Sequence, residues 1–377
     1  MSRSGNSGAV KTPANLRKIK VPPEFYFFHR NKAIFFTFNL NKGPKQATLN
    51  QIGKPYLFWI LIILMLPLKV AGQDAIFSQF FSSPLYLNPA FAGAQNCNRM
   101  VMNYRNHPYP GFGTFSTFNF SYDQYAESLS GGLGLMLTSD HQGGLLMKNQ
   151  LAAVYAYHLQ AAQNLFINFG AQAGYYRKDL NWNKLVFSDQ WDPFTGETLP
   201  QTETPPDQTF RHAANFAAGI LIYNDMFYGG LAAHHLTQPQ ESFFSDYRLP
   251  IKYTAHFGMT IYPGSRGPAR MQQQGLYLSP NIIAQSQDGY HRINYGLYAG
   301  LEPLVGGIWL RQNLKRPDSL IFLLGITHGN YRVGYSYDYS LSGFSAGLQG
   351  AHEISVSLNL HCAPKNMKYR ILNCPSF

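Results

Sequence analysis

Charge is scarce in this chain. Only 13% of its 377 residues are Asp, Glu, Lys or Arg, against roughly 25% in an average soluble domain. Cysteine is scarcer, with three residues, and no pair has the C-x-x-C spacing of a zinc or redox motif. No apolar run reaches the roughly 20 residues that a membrane-spanning helix needs. The longest is "YLFWILIILMLPL", Tyr56 to Leu68. With a mean hydropathy of −0.20, a bundle of membrane helices is excluded. From Gln73 onward no segment keeps a helical period beyond two turns. H-E-x-x-H, a phosphate-binding Walker loop and G-x-G-x-x-G are all missing, and with them the common signatures of zinc hydrolases and nucleotide-binding enzymes.

What the chain has instead is aromatic and small. Aromatics make up 15%, led by 28 Phe and 25 Tyr, beside 34 Gly. Low charge, many rings and many glycines fit a transmembrane β-barrel, whose lumen residues dilute those that face lipid. A large β-sandwich satisfies the same composition.

The formal charge of +11 points at first to nucleic acid or an anionic surface. Its location removes that reading. Residues 1–72 hold eleven of the 30 Lys and Arg but only one of the 19 acidic residues, Glu24, which leaves 19 basic against 18 acidic beyond them. A nucleic-acid footprint belongs on the folded domain, and that domain is nearly neutral.

The run Tyr56–Leu68, preceded by Lys54 and followed by Val70, Ala71 and Gly72, reads as a secretory signal: positive flank, apolar core, small-residue cleavage site. Residues 54–72 are therefore expected to be a signal peptide, cleaved after Gly72. Residues 1–53 form a basic extension longer than any ordinary signal flank. A translation start assigned too far upstream is the expectation for them.

Alternation with a period of two fills the remainder. In "HEISVSLNLH" (His352–His361), Ile354, Val356, Leu358 and Leu360 alternate with Ser355, Ser357, Asn359 and His361, so a strand there has one apolar and one polar face. Segments at Thr117–Asp123, Leu165–Tyr175 and Tyr331–Tyr339 repeat the pattern. Lipid outside and a polar lumen inside account for all of them. About 14 strands are predicted, beginning near Arg99, Thr114, Gly131, Gln150, Asn164, His212, Met226, Tyr253, Gly275, His291, Leu304, Ser319, Tyr331 and Glu353. Tight links (161–164, 224–225, 302–304, 328–330) alternate with longer ones (177–211, 237–252, 314–318, 341–352), as periplasmic turns alternate with external loops. The link 263–274 is longer than this scheme wants. The fold class is thus all-β, a transmembrane antiparallel barrel over residues 98–361. Residues 73–97 form a periplasmic N-terminal segment and 362–377 a periplasmic C-terminal tail.

Chemical motifs are few. "GFSAG" (Gly343, Ser345, Gly347) matches the G-x-S-x-G elbow, which works only where a strand turns into a helix; another strand follows here, so a hydrolase reading fails. His234 and His235 are adjacent, and neighbours on a strand point to opposite faces, so no shared metal is expected. No catalytic residue, cofactor or metal is assigned. Arg105, Arg177, Arg292, Arg311 and Arg332 fall on or near strands. They should face the lumen, since a charge at the lipid midplane costs about 2–4 kcal/mol. Cys97 precedes the first strand, Cys362 follows the last and Cys374 lies in the tail. First and last strands meet when a barrel closes, so a disulfide from Cys97 to Cys374, or alternatively to Cys362, would pin the tail or the seam.

Five segments in order, "QDAIFSQFFSSPLYLNPAFAGA" (73–94), "NYRNH" (103–107), "VGYSYDYS" (333–340), "HEISVSLNL" (352–360) and "CPSF" (374–377), resemble the PorP/SprF family. These are outer-membrane proteins of the type IX secretion and gliding systems of Bacteroidetes. His107 departs from the family's usual residue. The resemblance implies a 14-stranded barrel in the outer membrane. It also implies association with secretion components, or help in exporting and attaching a large surface adhesin. It makes Pro84, Leu85, Tyr86, Asn88, Pro89, Ala90, Phe91 and Gly93 the candidate segment for plugging the lumen or docking a partner. The alternative is a barrel for passive or selective solute transport, for which an open lumen is the requirement.

Overall fold

The computed structural model describes residues 74–95, 97–109, 113–187, 190, 200, 203–263, 275–314, 316–341 and 350–362. The signal segment, the extension before it and the tail after Cys362 lie outside the described residues, as does the "GFSAG" motif.

Period-two patterning produces fourteen strands. They are β1 (Cys97–Tyr109), β2 (Gly113–Ala126), β3 (Gly131–Gln142), β4 (Leu146–Ala162), β5 (Leu165–Leu180), β6 (Phe210–Tyr223) and β7 (Phe227–His234). The second half holds β8 (Lys252–Met259), β9 (Tyr277–Gln287), β10 (Tyr290–Leu301), β11 (Leu304–Asn313), β12 (Arg316–His328), β13 (Tyr331–Ser340) and β14 (Ala351–Cys362). Each pairs antiparallel with its sequence neighbours, and β1 pairs with β14 to close the barrel. Closure leaves no strand edge unpaired in the wall, which is what a sheet in hydrocarbon requires.

The sidedness is the reverse of a soluble protein's. On β14, Glu353, Ser355 and Ser357 are buried while Ile354, Val356 and Leu360 are exposed. On β13, Ser336 and Asp338 are buried and Tyr331, Val333, Tyr335 and Tyr339 exposed. Leu135, Leu151, Phe169, Ile308 and Phe322 continue the apolar outer face on other strands. The greasy face of the alternating strands meets lipid.

Both chain ends of the wall, Cys97 and Cys362, lie at one end, here termed the terminal end. Links there are short, except the one between β8 and β9. The opposite, far end carries the long links between β5 and β6 and between β7 and β8. Some far-end links are shorter than the sequence suggested. The link expected over 314–318 occupies only 314–315, because β12 starts at Arg316. β9 and β10 turn through Asp288 and Gly289, both at positive φ (49° and 72°), the two-residue hairpin geometry that suits the sheet's twist.

The lumen corrects one expectation. Its terminal half carries an apolar layer among its polar residues. Phe166, Tyr223, Tyr298, Trp309, Ile321 and Leu323 all point inward and are buried. They pack with residues that precede β1.

Candidate functional site

Residues 74–95 run through the lumen as a strap. Three short turns shape it: a 3-10 turn at Phe80–Ser82, a one-turn helix α1 (Pro84–Leu87) and a second 3-10 turn at Pro89–Phe91. Pro84 and Pro89 each open a turn, where a missing N–H costs nothing and the fixed φ is already right. The sequence suggested a segment on the periplasmic side that plugs the lumen or docks a partner. The described part runs through the lumen, from Gly93 beside β2 and β3 near the terminal end to Asp74 beside the far-end residues His235 and Lys252.

Asn88 is the hinge of the segment and is fully buried. Its Oδ1 accepts from Ala90 N at 2.9 Å. Its Nδ2 donates to the carbonyls of Ile220 (3.1 Å) and Leu231 (3.2 Å), a facing pair on β6 and β7. The strap's own carbonyls are met by lumen side chains. Asn168 Nδ2 donates to Ala90 O at 3.2 Å, His158 Nε2 lies 2.8 Å from Ala92 O, and His234 Nε2 lies 3.3 Å from Leu87 O. Buried backbone must find partners, and here the wall supplies them.

The wall is also hollowed to receive the strap. A Cβ on Gly170 would overlap the Ala90 nitrogen, one on Gly219 the Asn88 Oδ1, and one on Gly132 the Ala92 carbonyl. These glycines sit on β5, β6 and β3. Gly93 itself takes φ +68°, and its N–H donates to Asp123 Oδ2 at 2.9 Å. Arg99 holds Asp123 at 2.9 Å. Pro84, Leu85, Pro89, Ala90 and Phe91 are buried, and Tyr86 is half-buried. Phe80 lies against Trp309 (4.9 Å between ring centroids), Phe81 against Tyr228 (5.4 Å) and Phe91 stacks on His256 (5.2 Å).

Toward the far end the fastening becomes ionic. Ser78 N and Gln79 N donate to the two oxygens of Glu353, at 2.6 and 3.1 Å. Ser78 Oγ donates to Asp338 Oδ2 at 2.6 Å and accepts from Arg311 at 2.8 Å. Arg105 and Arg311 both pair with the same Asp338 oxygen, at 2.7 and 2.9 Å. One serine hydroxyl thus joins a buried triad contributed by β1, β11 and β13.

Asp74, the first described residue of the strap, anchors its far end. His235 lies at 2.5 Å, Lys252 at 3.0 Å and Lys148 at 3.7 Å. Glu241 joins the cluster through Lys148 and Lys178. Burial by itself would raise the Asp74 carboxyl, but His235, Lys252 and Lys148 outweigh it and hold it well below the ordinary carboxylate range. Tyr86, whose hydroxyl donates to Ala75 O at 2.7 Å, is pushed well above the usual phenol range by burial and then by Asp74.

Two sequence expectations are corrected here. His234 and His235 both turn inward, because His235 leaves the strand at φ 60° and breaks the alternation. They meet Leu87 and Asp74, and no group of potential metal ligands occurs among the described residues. Arg177 faces outward, with its side chain 57% exposed, paired with Asp179 at 2.8 Å near the far end of β5. Its register neighbours, Asn149 and His212, are polar as well, the pattern expected toward the interface, where the cost of charge falls toward zero. Arg105, Arg292 and Arg311 are buried in the lumen. Cys97 is disulfide-bonded. Its register partner is Cys362, and Cys374 lies outside the described residues. Sequence reasoning missed Ser78, Asp338 and Glu353, whose far separation along the chain left no local signal.

Over the strap, at the far end, lies a cavity of about 540 Å³ whose floor includes Asp74, Ala75 and Ile76. A smaller one of about 180 Å³ lies beside Tyr86 and the lysine cluster.

No curated protein matches the chain in sequence. Among solved structures, the KdgM porin is 9% identical with a TM-score of 0.32, covering 69% of this chain and 99% of its own. A Pseudomonas aeruginosa FadL homologue is 11% identical, TM-score 0.41, with 75% and 96% covered. A deletion mutant of the TodX monoaromatic hydrocarbon channel is 11% identical, TM-score 0.42, with 74% and 94% covered. The family model described as "Type IX secretion system membrane protein PorP/SprF" matches residues 69–358. With its closed wall and apolar outer face, the chain is an integral β-barrel of the outer membrane and belongs to the PorP/SprF family of type IX secretion membrane proteins.

Proposed function

We propose that the protein is a non-enzymatic component of type IX secretion that works by binding. The far-end mouth, its long links and the upper strap hold a secretion component or a large exported surface protein. The single observation that supports this over conduction is the occupied lumen. Strap residues Phe80, Phe81, Leu85, Leu87 and Phe91 are buried in one apolar cluster with the inward residues of the wall. A solute path along that axis requires the strap to leave, against hydrogen bonds to both halves of the barrel.

In this reading the terminal end faces the periplasm and the far end the exterior, with residues 54–72 removed as a signal peptide. The PLYLNPAFAG segment then serves as a plug. It holds the barrel as a rigid platform, so that binding at the mouth need not order the wall.

The test is affinity purification of the tagged protein from mildly solubilised outer membranes, followed by mass spectrometry. A very large surface protein or periplasmic secretion components should accompany it, and secretion should fall when the gene is deleted. A partner-free barrel that conducts steadily in planar bilayers would overturn the reading in favour of solute transport.

A further inference from the structure

The outer, lipid-facing wall carries a groove across β6 to β10. Two adjoining hollows of about 430 and 460 Å³ share Leu231, Ala255 and Ala284. Leu231, Ala255, Ala284 and Ile293 stand in one row of register on neighbouring strands, and the two in the middle are alanines. Phe257 and Ile282 wall the groove on its terminal side and Tyr253 on its far side, all of them exposed.

The far rim is polar. Tyr253, Ser286 and His291 are register neighbours close to the far-end turn at Asp288 and Gly289. Elsewhere on the outer face such rings are engaged by the protein itself, Tyr175 with His212 at 3.0 Å and Tyr335 with His352 at 2.8 Å. The side chains of Tyr253, Ser286 and His291 bond to no described residue. Arg316, exposed where β12 begins, adds a cation two residues beyond Leu314, which lines the groove. Asp288 is already held by the Tyr247 hydroxyl at 3.0 Å.

Shape and chemistry together select the occupant. Tyr253 and Phe257 are four residues apart on one strand, about 13 Å between their backbones, and their rings take up part of that span. The gap is narrower than the roughly 10–12 Å of an α-helix. The convex wall of a second barrel would bridge the hollow and leave it unfilled. An acyl chain that starts beside a phosphate fits both the apolar floor and the rim of donors. We propose that the groove is a lipid A site, with one acyl chain over Ala255 and Ala284 and the phosphorylated sugar at Tyr253, Ser286 and His291. The choice of lipid A over a glycerophospholipid rests on the orientation proposed above, which puts the far end in the outer leaflet.

The test is native mass spectrometry of the protein extracted from outer membranes in mild detergent. A lipid A molecule should stay bound. Ala255→Phe should lower its retention about ten-fold, what roughly two displaced methylene groups are worth, and His291→Ala should lower it as well. Ala284→Phe stands in if Ala255→Phe fails to fold. Ala173→Phe, on the exposed outer face of β5 and outside the groove lining, should retain the lipid. No adduct, an adduct unmoved by Ala255→Phe, equal loss in Ala173→Phe, or a glycerophospholipid in its place would each overturn the proposal. Labelling of Ser245→Cys on intact cells by an impermeant thiol reagent tells the last two readings apart: a labelled far end with a glycerophospholipid defeats the lipid A site, and an unlabelled one defeats the orientation with it.

Discussion

Gly219 on β6 and Asn88 on the strap stand so close that a methyl group on the one would fall on the carboxamide oxygen of the other. The wall has no side chain there because the strap supplies one. Asn88 then reaches past Gly219 to the carbonyls of Ile220 and Leu231.

Gly219→Ala should therefore loosen the strap without opening the wall. Overpacking of this kind costs about 1–3 kcal/mol. Hydrogen exchange over residues 74–95 should accelerate while the strands stay protected. Gly306→Ala is the control, since a Cβ there meets nothing nearer than 4.0 Å. Equal exchange in the two variants would show that the glycine does not seat the strap.

Asp338→Ala removes the shared carboxylate of Arg105 and Arg311. Stranding buried charge typically costs about 3–5 kcal/mol. The thermal midpoint should fall, and exchange should rise at Ser78 and Gln79 before it rises at Asn88 to Gly93. A uniform rise along the strap would mean that its two ends are not fastened separately.

The Asp74 carboxyl gives a pH dependence of known sign. Its value is depressed in the folded state by His235, Lys252 and Lys148, after burial is overcome. Its contribution is thus complete above the unfolded value of about 3.9 and is lost as pH falls below that toward the folded value. Melting curves between neutrality and about pH 3 should show Asp74→Asn less stable than the parent at neutral pH, with the gap narrowing in acid. A gap that widens in acid contradicts the assignment.

Cys97 should yield one disulfide-linked peptide under non-reducing mass mapping. A partner at Cys362 places the bond across the β1–β14 seam, where the two residues face each other in register. A partner at Cys374 ties the tail to the barrel. Three free thiols would contradict the bond itself.

Much of the wall was legible because lipid and lumen impose opposite demands on alternate residues. Ile354 and Ser355 announce their faces directly. Phe166, Trp309 and Leu323 did not, because apolar residues on both faces of a strand erase the alternation. What covers them is the strap, whose three short turns carry no period at all. Its prolines and Asn88 were visible, but its path was not. Nothing local in Ser78 foretells an acceptor at Asp338 or a carboxylate at Glu353. His235 escaped for a different reason, since one residue at positive φ reverses the side it faces.

The order in which the strap meets its partners bears on how the barrel is assembled. Its middle and lower part lies on β3 and on β5 to β8, all of which precede the last six strands, while Ser78 and Gln79 reach β13 and β14, the last two strands. A chain released from its amino end first can seat the strap on the early strands long before the late ones exist. The late strands then have a surface to wrap, and pairing of β14 with β1 seals the strap inside. In that order of events the amino-terminal segment would serve as an internal mandrel, and its deletion should show first as failure of the seam to close.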